Sequence, residues 1–434
     1  MIPTAAYAAR RATLARNIGN GVVIVATSPE RPRNRDAHYP YRYDSYFYYL
    51  TGFTEPDAVL ALVGGESPRS LLFCRAKNEE REIWDGFRYG PEAAKSAFAM
   101  DDALPIESLD AEIPKLLGDR DRIFFSLGAD PVWDAKLTAW LNGVRGLVRT
   151  GVQAPSEVVD LRSLLDPMRL VKDAYELDTM RKAAVISAAA HRRAMSAARP
   201  GMFEYQIEAE ILHEFVRSGS QAPAYTSIVA SGANACVLHY ITNRAELKRG
   251  DLLLIDAGCE LDGYASDITR TFPVGGKFEG AQRALYEVVL ASQFKAIEAV
   301  HPGNSFNDPH QSAVRVLVDG LIDVGLLSGD ADGIIESGAL KCCYVHGTGD
   351  WLGLDVHDAG EYGSEGKWKS LEPGMVLTVE PGLYVRAADD IPEPFRNIGI
   401  RIEDDVLVTA AGHEVITADA PKTIRDIEAL VGHG

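Results

Sequence analysis

Four acidic residues interrupt the most apolar segments in the second half of this chain, and a carboxylate in such a setting restricts how the chain can fold. Asp256 ends the run Leu252-Leu-Leu-Ile, and Asp267 follows in Gly263-Tyr-Ala-Ser-Asp-Ile-Thr-Arg. Glu380 ends Met375-Val-Leu-Thr-Val and precedes Pro381-Gly382, while Glu403 lies in Gly399-Ile-Arg-Ile-Glu-Asp-Asp. An uncompensated buried charge is costly, so carboxylates at apolar strand ends need either a cation or a shared proton. A turn at 260–263 would pair the Asp256 and Asp267 stretches and bring the two acids together. Side chains alternate along a strand, so Arg401 and Glu403 share a face and a guanidinium joins the cluster. Together the four acids form a set of hard oxygen donors suited to two divalent ions, Mn2+, Mg2+, Co2+ or Zn2+, with a bridging hydroxide.

Three histidines lie in small-residue or glycine-rich segments of the same half. His239 follows Ser231-Gly-Ala-Asn-Ala-Cys-Val-Leu. His346 and His357 bracket HGTGDWLGLDVHD, whose glycines permit close backbone approach to a ligand. Taken together they point to a functional role rather than to packing.

A chain of 434 residues exceeds what one hydrophobic core usually organises, and two domains are expected. The formal net charge of -18 disfavours phosphate backbones and anionic lipid surfaces, so neither a nucleic-acid nor a membrane partner is expected. Residues 1–16 hold three arginines without the apolar run of a secretory signal, and no apolar stretch approaches the ~20 residues that span a bilayer. A cytoplasmic location follows. The five cysteines are odd in number and lack CxxC spacing, which argues against disulfides or a thiolate metal site.

Between residues 21 and 151 short apolar runs at 22–26, 58–63, 70–74 and 122–126 alternate with helical stretches at 91–100 and 131–141, predicting an α/β layer. The aromatic passage 39–53 reads as packing rather than a ligand cage. The pattern changes near 166–172. Beyond it helices are expected at 173–198, 204–219, 282–300 and 307–324, and strands at 251–257, 263–272, 375–384 and 398–408, an α+β arrangement on a mostly antiparallel sheet.

The order of His239, Asp256, Asp267, HGTGDWLGLDVHD, Glu380 in TVEPG and Glu403 in GIRIED resembles aminopeptidase P, one of the pita-bread metallopeptidases that include prolidase. The amino-terminal passage with Tyr41-Arg-Tyr-Asp-Ser-Tyr-Phe and Glu82-Ile-Trp84 is similar to the same branch. The resemblance implies an α/β creatinase-like domain over residues 1–169 and an α+β pita-bread catalytic domain over 170–434. It also implies a two-Mn2+ centre that releases the first residue of peptides whose second residue is proline. Asp256 would bind one ion, Asp267 and Glu403 would bridge both, and Glu380 would bind the second and act as general base. His239 and His357 would contact the substrate around the scissile carbonyl, with Arg401 a supporting cation. Trp84 would help close a neighbouring subunit's proline pocket, implying a homotetramer or homodimer. His346 is an additional histidine of the substrate pocket.

One residue departs from the pattern. Related sequences carry a metal-binding histidine seven residues before the second histidine of the segment, and here Asp350 stands at that position. The departure is consistent with altered metal preference, with an engineered or inactivating substitution, or with recruitment of His346 as ligand, and it predicts impaired activity. The alternatives to a Xaa-Pro aminopeptidase are a prolidase restricted to dipeptides and a pita-bread protein that binds peptide without catalysis.

Overall fold

The computed structural model describes residues 2–431, so residue 1 and residues 432–434, the outer ends of the two expected domains, lie outside the described residues. The chain divides into two compact units, the first ending at Arg169 and the second beginning at Leu170.

The first unit is built on a six-stranded mixed sheet. Its strands are β1 (Gly21–Ala26), β2 (Val59–Val63), β3 (Arg69–Cys74), β4 (Asp102–Pro105), β5 (Arg122–Phe124) and β6 (Glu157–Val159), in the spatial order β4-β3-β2-β1-β5-β6. β1 runs antiparallel to β2 and parallel to β5. Central strands covered on both faces read as unbroken apolar runs, as Val22-Val-Ile-Val and Val59-Leu-Ala-Leu-Val do. Helices α1 (Thr4–Asn17), α2 (Ser45–Thr51), α3 (Glu79–Asp85), α4 (Gly90–Ala97), α5 (Leu109–Leu117), α6 (Pro131–Arg145) and α7 (Arg162–Leu170) complete it. Ile113 and Leu117 of α5 and Leu137, Trp140 and Val144 of α6 pack with Val22, Ile24, Ala61 and Phe73 of the sheet.

The aromatic passage contains α2. Asp44 caps it by accepting from the Phe47 N–H at 2.8 Å, and Gly52 ends it with φ at 67°. Phe47, Tyr48 and Tyr49 are buried, and the Tyr49 hydroxyl donates to the Met168 carbonyl at 2.9 Å. On α3, by contrast, Ile83 and Trp84 are 82% and 80% exposed.

The second unit opens with α8 (Ala174–Ala197), whose start is set by a capping box between Asp173 and Glu176. α9 (Glu204–Arg217), α10 (Gly280–Glu298) and α11 (Asp308–Asp323) follow. Among the described residues the expected single sheet is instead several small antiparallel sheets. β7 (Ile228–Ser231), β8 (Leu252–Asp256) and β11 (Thr269–Pro273) form one, and β9 (Cys259–Leu261) and β10 (Tyr264–Ala265) form another with Ala222–Pro223. β12 (Val376–Val379), β15 (Asp404–Thr409) and β16 (Gly412–Val415) form a third, and β13 (Gly382–Val385) pairs with β14 (Ile398–Arg401).

Each of the long strands expected at 263–272, 375–384 and 398–408 is therefore two strands in different sheets, and the break falls at the acid. Asp267 lies between β10 and β11, Glu380 between β12 and β13, and Glu403 between β14 and β15, while Asp256 is the last residue of β8 before the chain passes to β9. Continuous pairing would hold these side chains within a sheet face. The breaks release them, and at 380–382 the missing N–H of Pro381 prevents the ladder from running on. Among the described residues no helix is long and apolar enough to cross a membrane.

Candidate metal centre and active site

The sheet-to-sheet crossings bring the acids together. Carboxylate oxygens of Asp256, Asp267 and Glu403 lie within 4.8 Å of one another, close enough to share a cation. The expected turn exists: Glu260 pairs with Ala265 and Leu261 with Tyr264, and Asp256 then stands opposite Thr269 across β8 and β11. Gly258 makes this approach possible, because a Cβ there would meet the Ser266 carbonyl oxygen at 1.6 Å.

Burial and mutual repulsion dominate the electrostatics. Burial, reinforced by Asp256, pushes the Asp267 carboxyl well above its ordinary range; Glu403 is raised by burial and then by Asp267. Burial likewise raises Glu380 to about 8 even though Arg401 opposes it. Such a cluster gains from a divalent cation, which stabilises each charged form. The donors are carboxylate oxygens within 4.8 Å of one another, so the residues fit the expected divalent ions.

Arg401, 3% exposed, is the cation built into the site. Its Nη2 donates to Asp256 Oδ2 at 2.6 Å, its Nε to Thr269 Oγ1 at 3.1 Å and its Nη1 to the Tyr384 hydroxyl at 2.9 Å. Thr269 Oγ1 in turn donates to Glu403 Oε2 at 2.7 Å. The Tyr225 hydroxyl reaches Asp256 Oδ1 at 2.6 Å and also contacts Asp267 Oδ1. Having one hydrogen, it cannot donate to both at once, so it relieves the pair only partly.

The histidines divide. His346 Nδ1 faces the Gly347 carbonyl at 2.6 Å, which makes Nδ1 the protonated nitrogen, and Nε2 accepts from the Tyr384 hydroxyl at 2.8 Å. Burial lowers this imidazole to about 4, so it is neutral near pH 7. Both nitrogens are thus engaged, and Nδ1 lies 4.0 Å from Glu380 Oε2. His346 ends a relay from Arg401 through Tyr384. His239 and His357 are exposed side chains; His239 lies within electrostatic reach of His346, and His357 Nε2 is 3.9 Å from Asp350 Oδ2.

Asp350 is held beside Glu380. Its N–H donates to Thr378 Oγ1 at 2.9 Å, its carbonyl accepts from the Thr378 N–H at 2.9 Å, and Thr378 Oγ1 also lies 3.4 Å from Glu380 Oε1. The Tyr362 hydroxyl donates to Asp350 Oδ1 at 2.9 Å. The glycines of this segment were expected to admit a ligand, but a Cβ on Gly349 would strike the Thr378 carbonyl oxygen at 2.0 Å. That glycine serves the packing of Asp350 against β12; only Gly347 faces open space. Trp84 belongs to the first unit, on exposed α3.

Sequence reasoning missed Tyr225, Thr269, Tyr362, Thr378 and Tyr384. The two threonines stand two residues from Asp267 and Glu380, a spacing that hinted at them; the tyrosines arrive only through tertiary structure.

Residues 178–410 match the family model of metallopeptidase family M24, and residues 7–124 match that of the aminopeptidase P N-terminal domain. The chain is 44% identical over 425 residues to the Xaa-Pro aminopeptidase of Escherichia coli (strain K12), covering 97% of this chain and 96% of that protein. It is 44% identical over 413 residues to the Xaa-Pro aminopeptidase of Haemophilus influenzae, covering 95% and 93%. The solved structure of Pseudomonas aeruginosa aminopeptidase PepP matches with a TM-score of 0.97 at 50% identity, over 99% of this chain and 98% of that one. A glutamate-to-alanine variant of Escherichia coli aminopeptidase P in complex with substrate matches with a TM-score of 0.96 at 43% identity, over 99% and 98%. The amino-terminal α/β unit and the α+β pita-bread unit are thus the fold class that the motifs implied. A carboxylate cluster built where strands change sheets, on a fold matched over nearly its whole length, places the chain in metallopeptidase family M24, within its aminopeptidase P branch.

Proposed function

We propose that the protein is a Xaa-Pro aminopeptidase that uses two divalent ions, Mn2+ foremost, to release the first residue of peptides with proline second. The observation that carries this reading is the convergence of Asp256, Asp267 and Glu403 within 4.8 Å, beside a Glu380 whose carboxyl sits near 8. Asp256 would hold one ion, Asp267 and Glu403 would serve both, and Glu380 and Asp350 would hold the second. When bound, the ions polarise the substrate carbonyl and acidify a water toward neutral pH. Glu380 takes the proton of the attacking water and passes it to the leaving prolyl nitrogen. His239 and His357, the exposed imidazoles, reach the substrate and stabilise charge developing on the carbonyl oxygen. Burial, and after it Arg401, keeps His346 neutral, and the relay Arg401–Tyr384–His346 would hold the ring in place for the substrate.

Trp84 and Ile83 expose a large apolar surface on α3. This supports the reading that a homotetramer or homodimer covers it and that Trp84 closes a neighbour's proline pocket. We place the enzyme in the cytoplasm, a reading supported by five free cysteines.

The test is hydrolysis of Arg-Pro-Pro together with metal content. Release of arginine with two ions bound is expected; cleavage of Arg-Pro alone would make the enzyme a prolidase, and one or no ion without turnover at high Mn2+ would make it a binding protein. Because Asp350 replaces a neutral ligand by an anion, turnover should rise in Asp350→His, and equal rates in the two proteins under saturating Mn2+ would remove the claim of impairment.

A further inference from the structure

Resting on the metallopeptidase reading, a further inference concerns which ions the centre prefers. Asp256, Asp267 and Glu403 converge there, Glu380 lies within electrostatic reach of Asp267 and Asp350 within reach of Glu380; all five offer oxygen, and the nearby imidazole of His346 has both nitrogens engaged by Gly347 and Tyr384. His357 Nε2 is set against Asp350 Oδ2 at 3.9 Å. Asp350 is not a loose surface carboxylate. Its backbone N–H donates to the Thr378 hydroxyl and its carbonyl accepts from the Thr378 N–H, two residues before Glu380, and the Tyr362 hydroxyl holds its Oδ1. Tyr362 is itself wedged by aromatic contacts with Trp351 at 5.9 Å and Phe306 at 4.8 Å between ring centroids. The other oxygen of Asp350, Oδ2, faces His357.

We propose that Asp350, oriented by Tyr362, makes this an all-oxygen metal centre and shifts its selectivity toward the hard ions Mn2+ and Mg2+ at the expense of Zn2+ and Co2+. Carboxylates suit Mg2+ and Mn2+, whereas an imidazole favours Zn2+ and the later transition metals. Charge is compatible with the extra anion, since five carboxylates balance two divalent ions and the Arg401 guanidinium. Tyr362 acts as a positioning residue through its hydrogen bond to Asp350.

Calorimetric titration of the metal-stripped full chain with Mn2+, Mg2+, Co2+ and Zn2+ tests this without relying on turnover. Intrinsic affinities rise from Mn2+ to Zn2+ at most sites, so the readout is the Zn2+/Mn2+ affinity ratio. Asp350→His should raise that ratio by about tenfold or more. Tyr362→Phe should weaken Mn2+ binding by roughly tenfold, as loss of a ligand's hydrogen-bond partner does. An unchanged ratio in Asp350→His overturns the selectivity proposal while leaving the metallopeptidase reading standing; failure of the unaltered chain to bind any of the four ions overturns both. Should Asp350→His fail to fold, Asp350→Asn carries the test: a clear loss of Mn2+ affinity supports the proposal, and unchanged Mn2+ affinity overturns it.

Discussion

Raising the pH of the metal-stripped protein from 6.5 to 8 should lower its stability, and saturating Mn2+ should abolish that loss. Glu380 ordinarily titrates at 4.5 but is held up to about 8 in the folded protein. Over this window the native state keeps a proton that the unfolded chain has released, so stability falls as pH rises. At about 1.4 kcal/mol per pH unit, Glu380 alone contributes on the order of 2 kcal/mol across the window. Asp267 and Glu403, raised by burial and by their acidic neighbours, act in the same direction. His191 and His346, each lowered from 6.5 to about 4, have their pH dependence below the window, where stability rises with pH. For a unit of this size roughly 2–4 °C accompanies each kcal/mol, so the melting temperature should drop by about 4–8 °C between pH 6.5 and 8. Mn2+ at a hundred times its dissociation constant adds about 2.7 kcal/mol per site and, by displacing the proton, flattens the profile. Differential scanning calorimetry with and without chelator reads both effects. A metal-free melting temperature that stays level or climbs over the window would refute the claim that the acids lack compensation without a cation.

Glu380→Gln keeps the size of the side chain but removes the base, so turnover of Arg-Pro-Pro should fall on the order of 10²–10⁴-fold, with the fold intact by circular dichroism. Tyr384→Phe strips an acceptor from Arg401 Nη1 and a donor from His346 Nε2. Urea denaturation should show a loss of about 1–3 kcal/mol, and an unchanged midpoint would contradict the relay. Trp84→Ala, at a side chain 80% exposed, should leave the melting temperature of the isolated chain within about 1 °C while reducing assembly on light scattering and Xaa-Pro cleavage together. Unaltered assembly would detach Trp84 from any subunit contact.

The acids were legible because apolar runs ending in a carboxylate are costly unless something charged answers them, a constraint that acts locally and is written in neighbouring residues. Asp256, Asp267 and Glu403 could be grouped from the sequence, and the helix expected over 173–198 coincides with α8. Strand length was less legible. Apolar residues recur with period two at 398, 400, 402, 406 and 408, and the interruption at Glu403-Asp404-Asp405 does not by itself tell a polar stretch of one strand from the break at 402–403 where the chain leaves one sheet for another. The break is decided by which strands find partners elsewhere, an outcome of packing over the whole unit.

The same division runs through the site. Residue type and order along the chain specify the chemistry available, because a carboxylate, an imidazole or a guanidinium keeps its donor character wherever it is placed. Its protonation and partners depend on distance and burial, which are properties of the folded whole. Thus Tyr225 sits between Asp256 and Asp267 from 31 and 42 residues away, and Tyr362 orients Asp350. His346 finds the partner of its Nε2 in Tyr384, 38 residues downstream. Nothing in the local sequence encodes such contacts, since hydrogen bonds saturate within a few ångströms and only the fold brings those atoms that close.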